Sequence, residues 1–206
     1  MDNNYIFQYW EAIQDGTVTV GKWIKTIYEI LVNGLKSGKW DFDEEKANKA
    51  INFIENFCHH SEGRNDLLKL ELWQKAIVSA IFGIMDKRTG YRQFREVFIV
   101  VARKNGKTLF AAAIAAYMAY IDGEYGAKVY FLAPKLDQAD LVYDAFYQIV
   151  QADDELDSIT KKRRSDIYIK EFNTSVKKIA FNSKKSDGFN PQLVVNDEME
   201  AWPGDQ

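Results

Sequence analysis

The chain has 206 residues, of which 47% are hydrophobic and 14% aromatic, so it carries enough apolar surface for a folded core and is not a disordered or fibrous protein. Its formal net charge of −3 argues against a chain coated in positive potential, and its single cysteine, Cys58, excludes an internal disulfide and cysteine-based metal sites. The N-terminus lacks the pattern of a secretory leader, and the longest apolar stretch is too short for a membrane span, so we expect a soluble intracellular protein.

The first part of the chain, residues 1–62, is predicted to be an N-terminal helical segment. Between positions 19 and 35, apolar residues recur at three- and four-residue spacings and predict one apolar stripe along a helix: Val20, Trp23, Ile24, Ile27, Ile30 and Leu31. Asp43 is predicted to cap a second helix. The buried face of that helix is expected to carry Ala47, Ala50, Ile51, Ile54 and Phe57. The polar stretch at 61–66 predicts a linker.

The second part, residues 63–206, alternates between helix and strand patterns. Helices are predicted at 70–85, 107–121 and 136–150. Strands are predicted at 95–101, 127–133 and 193–196, and a hairpin at 167–181. The run at 95–101 is nearly all apolar, which is typical of a strand buried on both faces. The alternation predicts an α/β fold with a mostly parallel sheet flanked by helices.

A phosphate-binding loop is predicted between the strand at 95–101 and the helix that follows it. The loop consists of Ala102, Arg103, Lys104, Asn105, Gly106, Lys107 and Thr108. Gly106 lets the backbone approach phosphate oxygens, Lys107 is placed to reach the terminal phosphates of ATP, and Thr108 offers a hydroxyl to Mg²⁺. Val101 stands where the first glycine of the common Walker A pattern falls, so this loop is a weak signal when taken alone.

A second motif strengthens the first. The apolar strand at 193–196 ends in Asp197 and Glu198, which is the form of a Walker B strand. The carboxyl ends of parallel strands face the same crevice as the Walker A loop, so Asp197 is predicted near the Mg²⁺ and Glu198 is predicted to activate the attacking water. Arg103, inside the loop, is predicted to neutralise charge on the γ-phosphate.

Basic residues are concentrated between positions 161 and 185. The nine are Lys161, Lys162, Arg163, Arg164, Lys170, Lys177, Lys178, Lys184 and Lys185, against the acidic residues Asp166 and Glu171. Such a segment is either a surface for a polyanion or the solvated outer face of a hairpin, and the sequence leaves both interpretations open.

Four ordered segments also carry a family resemblance: LELWQKAIVSAIFG, ARKNGKT, FLAPKLDQADLVYDAF and SDGFNPQLVVNDEMEAW. From about residue 70 to residue 202 the chain resembles the large terminase subunits of tailed bacteriophages. This resemblance implies a P-loop ATPase that uses ATP and Mg²⁺. The resemblance implies that Gln74 recognises adenine and that Arg103 senses the γ-phosphate. It assigns Lys107, Thr108, Asp197 and Glu198 as the Walker residues.

The resemblance further implies a host-cytoplasmic motor that drives double-stranded DNA into a procapsid. Its expected partners are a portal protein, a small terminase subunit and further copies of itself in a ring. In such proteins the ATPase sheet continues and a nuclease domain follows, so residue 206 is expected to fall within a longer protein. A helicase-like P-loop ATPase and a non-catalytic nucleotide-binding interaction module are the alternatives.

Overall fold

The computed structural model describes residues 4–60, 63–102, 104–180 and 190–197. The chain divides into two compact units. The first contains residues 1–55 and 69–100, and the second contains residues 56–68 and 101–206. Within the described part of the chain, no helix has the length and apolar character that crossing a membrane requires. The domain boundary after residue 62 stays a prediction.

The first unit is mainly helical. Its elements are α1 (Tyr5–Gln14), α2 (Lys22–Lys36), β1 (Asp41–Phe42), most of α3 (Glu44–Phe57), α4 (Leu72–Gly83) and β2 (Ile84–Met85). β1 and β2 pair antiparallel. As predicted, Asp43 caps α3, because its carboxylate accepts the backbone N–H of Lys46 at 3.0 Å. The core packs Ile6, Tyr9, Tyr28, Val32 and Ile84 together.

The apolar stripe predicted along α2 is only partly buried. Leu31 is buried, whereas Trp23, Ile27 and Ile30 are 70%, 49% and 53% exposed. The buried side of the helix instead carries Tyr28, Leu31, Val32 and Gly34. The spacing located a helix correctly, but apolar residues line more than one side of it, and packing within the unit selects which side is buried.

The second unit is an α/β fold. Its elements are α5 (Lys107–Tyr120), β3 (Lys128–Ala133), α6 (Leu136–Ala152), α7 (Asp154–Ile159), β4 (Thr160–Lys162), β5 (Ile167–Ile169), β6 (Thr174–Ala180) and β7 (Leu193–Asn196). The five strands form one sheet in the order β4-β5-β6-β3-β7. β3 pairs parallel with both β6 and β7, whereas β4-β5 and β5-β6 pair antiparallel. The predicted α/β class is confirmed, and the parallel strands lie at its centre and at the β7 edge.

Helix α6 packs on one face of this sheet. Phe131 of β3 meets Tyr143 and Phe146 of α6, with ring centroids 6.4 and 5.9 Å apart. Because side chains alternate along a strand, Val129 and Val176 point the same way and are fully buried. The opposite face carries Lys128, Ser175 and Lys177, which occupy the alternate positions.

The prediction of a strand at 95–101 is wrong. Residues 96–100 are not in a strand, and Phe98 and Val100 are 77% and 79% exposed. Apolar, β-branched composition indicates a tendency toward burial, but a strand also needs a neighbour to accept and donate its backbone hydrogen bonds. No strand in the described part of the chain pairs with these residues, so composition alone misassigned them.

Candidate nucleotide site

The loop before α5 has an unusual backbone. Gly106, the N-cap of α5, has φ 69° and ψ 22°, in the left-handed region. Lys104 also has a positive φ, of 66°, which is uncommon for a residue with a side chain. The amide Nδ2 of Asn105 donates to the backbone carbonyl of Ala102 at 3.0 Å and holds the turn closed. The loop therefore ends at Gly106, and the 14-residue helix α5 begins at the next residue.

The first turn of α5 presents its backbone N–H groups at the end of the helix. The first N–H groups of a helix have no partner within the helix, and they carry the positive end of its dipole. A Cβ built on Gly106 would meet no atom of the described residues within 4 Å, so the described part of the chain leaves space beside this backbone. Backbone donors with open space above them suit a phosphate group.

The sheet brings a carboxylate to the same place. In the parallel register of β3 and β7, Leu132 lies opposite Asn196, so Asp197 leaves β7 beside the end of β3. The backbone N–H of Asp197 donates to the carbonyl of Leu132 at 3.1 Å, which fixes the position where its side chain starts. The predicted exit of Asp197 at the carboxyl edge of the sheet is observed.

Lys107 and Asp197 form an ion pair. The ammonium Nζ of Lys107 lies 3.2 Å from Oδ1 of Asp197, and the two side chains are 36% and 15% exposed. Residues that are 90 positions apart in the sequence thus meet at one edge of the sheet. A cation and a carboxylate side by side at a helix N-terminus provide one group for an anion and one for a divalent metal ion.

The other predicted site residues have different outcomes. Thr108 lies in the first turn of α5, next to Lys107, and is half-buried. Arg103 and Glu198 lie outside the described residues, so their roles stay predictions. The ion pair and the turn around Gly106 therefore define the site in the described structure.

Gln74 belongs to the first unit and lies in the first turn of α4. Its Oε1 accepts the backbone N–H of Glu71 at 2.9 Å, and the Glu71 side chain completes a reciprocal capping box. Gln74 is 9% exposed. Its local contact is thus that of a helix cap, and adenine recognition by this side chain stays a prediction.

Two details of the site were not predicted from the sequence. One is the positive φ of Lys104, for which the sequence carries no signal. The other is the Asn105 contact, which the residue type did signal, since asparagine side chains commonly bond to nearby backbone in turns. The acidic run Asp153–Glu155 lies at a helix end, away from these residues in the sequence: the Asp153 carboxylate accepts the backbone N–H groups of Glu155 and Leu156 and caps α7.

Comparisons with known proteins agree with the α/β fold described above. The ATPase domain family of terminase large subunits matches residues 72–206. The terminase large subunits of Lactococcus phages p2 and SK1 are each 24% identical over 213 residues, and the match covers 98% of this chain and 38% of each relative. The crystal structure of the HK97 bacteriophage large terminase has the same fold, with a TM-score of 0.62 and 24% identity over 73% of this chain and 30% of that one. The chain therefore belongs to the terminase large subunit ATPase domain family.

Proposed function

We propose that this chain binds ATP with Mg²⁺ and that the complete protein hydrolyses the nucleotide to drive double-stranded DNA into a procapsid. The observation that carries the proposal is the contact between Lys107 and Asp197 at the N-terminus of α5. It joins the two halves of a P-loop site at the carboxyl edge of a parallel sheet, where α/β proteins bind their ligands.

The phosphate half of the site consists of Gly106, Lys107 and the backbone of the first turn of α5. The turn supplies N–H donors, and Lys107 supplies a mobile positive charge on a long side chain. The open space above Gly106 fits a group that approaches the backbone closely. These features support the binding of the β- and γ-phosphates of ATP.

The metal half consists of Asp197 and Thr108, whose carboxylate and hydroxyl oxygens are ligands that Mg²⁺ accepts. Bound there, Mg²⁺ would neutralise phosphate charge. Lys107 and Asp197 must separate when the nucleotide binds, Lys107 toward the phosphates and Asp197 toward the metal. Glu198, the next residue, is proposed to accept a proton from the attacking water, and Arg103 to stabilise charge on the γ-phosphate.

The larger role follows from family membership. The chain spans 38% of the length of its curated relatives, so hydrolysis, packaging and partners are proposals for the complete protein. We propose a ring of subunits that works in the host cytoplasm with a portal protein and a small terminase subunit. The identity of the matched relatives as phage terminase large subunits supports this assignment.

The test is a calorimetric titration of the 206-residue chain with Mg²⁺-ATP. We expect saturable binding that Lys107→Ala weakens at least about tenfold, because a charged contact to phosphate is lost. Lys49→Ala, at an exposed position of α3, is the matched control and should bind like the parent. No saturable binding by the parent chain would refute the nucleotide site and favour a non-catalytic interaction module.

Asp197→Asn tests the metal half separately. In the presence of Mg²⁺ it should weaken ATP binding, since a metal ligand is lost. In EDTA it should bind ATP as well as the parent or more tightly, because Lys107 no longer has Asp197 as a competing partner. Equal weakening under both conditions would contradict the metal assignment. In the complete protein, Glu198→Gln should abolish turnover while nucleotide binding persists.

A further inference from the structure

Four basic residues share one face of the sheet. Lys161 of β4 lies opposite Tyr168 of β5, Tyr168 opposite Ser175 of β6, and Ser175 opposite Lys128 of β3. Directly paired residues point to the same face, so this row runs across four strands. Lys177 follows Ser175 by two positions, which places it on that face as well. Arg163, just after β4, belongs there because its guanidinium carbon lies 4.0 Å from the ring centroid of Tyr168. We call Lys128, Lys161, Arg163 and Lys177 the basic face.

Contacts with α6 confirm which face this is. Lys162 and Lys178 occupy the alternate positions on β4 and β6. Their ammonium groups lie 4.0 Å and 5.2 Å from the ring centroids of Tyr147 and Tyr143, both on α6. They therefore belong to the helix-covered face. In the strands of the basic stretch, the pleat therefore places Lys161 and Lys177 on one face and Lys162 and Lys178 on the other, whereas Lys184 and Lys185 lie outside the described residues.

The acidic residue on the basic face is neutralised within the fold. Asp166 is 3% exposed. It accepts hydrogen bonds from Nε and Nη2 of Arg163 at 2.7 and 2.6 Å and from the hydroxyl of Ser175 at 2.6 Å. Arg163 and Asp166 cancel in charge, so Lys128, Lys161 and Lys177 contribute an excess of three positive charges.

These lysines reach solvent and are spread across the face. Lys128 and Lys161 are exposed, and Lys177 and Tyr168 are half-buried. Neighbouring strands lie roughly 4.8 Å apart, so Lys128 and Lys161, three strands apart, are about 14 Å apart at their Cα atoms. Lys177 is set back along its strand by about 7 Å. A row of flexible cations of this length matches the backbone of a nucleic acid better than a single small anion.

The basic face is also separate from the nucleotide site. Lys128 is the first residue of β3, whereas Asp197 lies beside the far end of that strand. Five residue steps along a strand correspond to about 16 Å. The phosphates of a nucleotide bound at Lys107 therefore do not account for the lysines of the basic face.

We propose that the basic face, formed by β4, β5, β6 and β3, binds the phosphate backbone of double-stranded DNA. The contacts are electrostatic, so binding is independent of base sequence and weakens steeply with salt. Duplex DNA as the ligand rests on the packaging role proposed above, whereas the surface itself is defined by the sheet register alone.

The experiment measures binding of the 206-residue chain to a fluorescein-labelled 30-base-pair duplex by anisotropy, between 50 and 200 mM KCl. The test variant carries Lys128→Gln, Lys161→Gln and Lys177→Gln. Each phosphate contact contributes about 0.9 to the slope of log affinity against log salt, so we expect the slope to fall by up to about 2.7 and the affinity at 50 mM to fall at least about tenfold.

The matched control carries Lys22→Gln, Lys25→Gln and Lys49→Gln, three exposed lysines of α2 and α3. It has the same net charge as the test variant and should bind DNA like the parent. Equal losses in both variants would show a general charge effect and overturn the proposal. So would an unchanged slope in the test variant, or equally tight binding of polyglutamate.

Two further measurements keep the outcome interpretable. The test variant should retain parental Mg²⁺-ATP binding, which separates failure of the basic face from failure of the nucleotide site. Replacing the same three residues by arginine should restore DNA binding, because the positive charges return. Failure of this arginine variant to bind, when its ATP binding is intact, would overturn the proposal.

Discussion

The buried carboxylate of Asp166 allows a quantitative test of how the antiparallel edge of the sheet is held. Its two oxygens receive three side-chain hydrogen bonds, two from Arg163 and one from Ser175. These contacts tie the turn between β4 and β5 to β6. The Arg163 hydrogen bonds are the largest influence that lowers the pKa of Asp166 below its ordinary value, and they outweigh the effect of burial.

Asp166→Asn keeps the shape but removes the charge and replaces one acceptor oxygen by a donor amide. One oxygen can still accept from Arg163, while the new N–H₂ group faces another donor. Hydrogen bonds to charged groups contribute about 1.5–3 kcal/mol each. The Arg163 side chain is 43% exposed, so solvent screens part of this interaction. We therefore expect a net loss of about 2 kcal/mol in the free energy of unfolding for the substitution.

Urea unfolding followed by circular dichroism measures this loss, with Asp157→Asn on α7 as the control because Asp157 is exposed. The lowered pKa in the folded state means that the stabilisation by Asp166 is complete above the unfolded value near pH 4 and is lost as pH falls through the folded value. The parent and Asp166→Asn should therefore differ most at neutral pH and converge in acid. A difference under about 0.5 kcal/mol at pH 7, or one that does not shrink in acid, would refute the reasoning.

Three other substitutions test the backbone and packing. Gly106→Ala should lower the free energy of unfolding by about 1 kcal/mol, because alanine disfavours its positive φ although nothing blocks the added methyl group. Gly34→Ala should cost about 1–3 kcal/mol by overpacking, since the new Cβ would overlap the Trp40 indole. The hydroxyl of Thr160 donates to the backbone carbonyl of Leu156, so the hydroxyl of Tyr120 is the donor in its 2.6 Å contact with Thr160. Tyr120→Phe removes this donor and should lower the free energy of unfolding by about 1 kcal/mol. Urea unfolding measures all three losses.

The two glycine substitutions have control variants, and the third has a result that would contradict it. Gly106→Asn should be milder than Gly106→Ala, because asparagine tolerates the left-handed region, and the reverse order would contradict the conformational explanation. Gly21→Ala, where no described atom lies within 4 Å of the added Cβ and φ is −69°, loses only the N-cap preference for glycine over alanine and should cost less than Gly34→Ala. If Tyr120→Phe has no measurable effect, the contact with Thr160 contributes nothing to stability.

The sequence predicted helix caps and turns well, because these features depend on residues that are adjacent in the chain. Asp43 caps α3, and α5 begins at Lys107, directly after a glycine with a positive φ. The hairpin turn was also predicted, and Asn173 occupies it with a φ of 52°. Capping and turn formation depend on a few adjacent residues, so the sequence carries most of the information.

The failures involve burial, which depends on residues far away in the sequence. The apolar run at 95–101 and the stripe on α2 have the right composition, yet both expose large side chains. The approach of Lys107 to Asp197 could be anticipated because parallel strands bring their carboxyl ends together. The contact of Asp166 with Ser175 could not, because it depends on the register of an antiparallel edge, whereas Arg163 is only three residues from Asp166 in the sequence.

The exposed stripe of α2 bears on how the chain behaves during purification. Trp23, Ile27 and Ile30 offer apolar surface to water, and salting-out ions such as sulfate strengthen apolar association. Sulfate should therefore increase retention on a hydrophobic column through this helix, while the same ionic strength weakens DNA binding at the basic face. The two surfaces respond to salt in opposite directions, so retention in ammonium sulfate reports on exposed apolar surface, to which Phe98 and Val100 also contribute, without interference from nucleic acid.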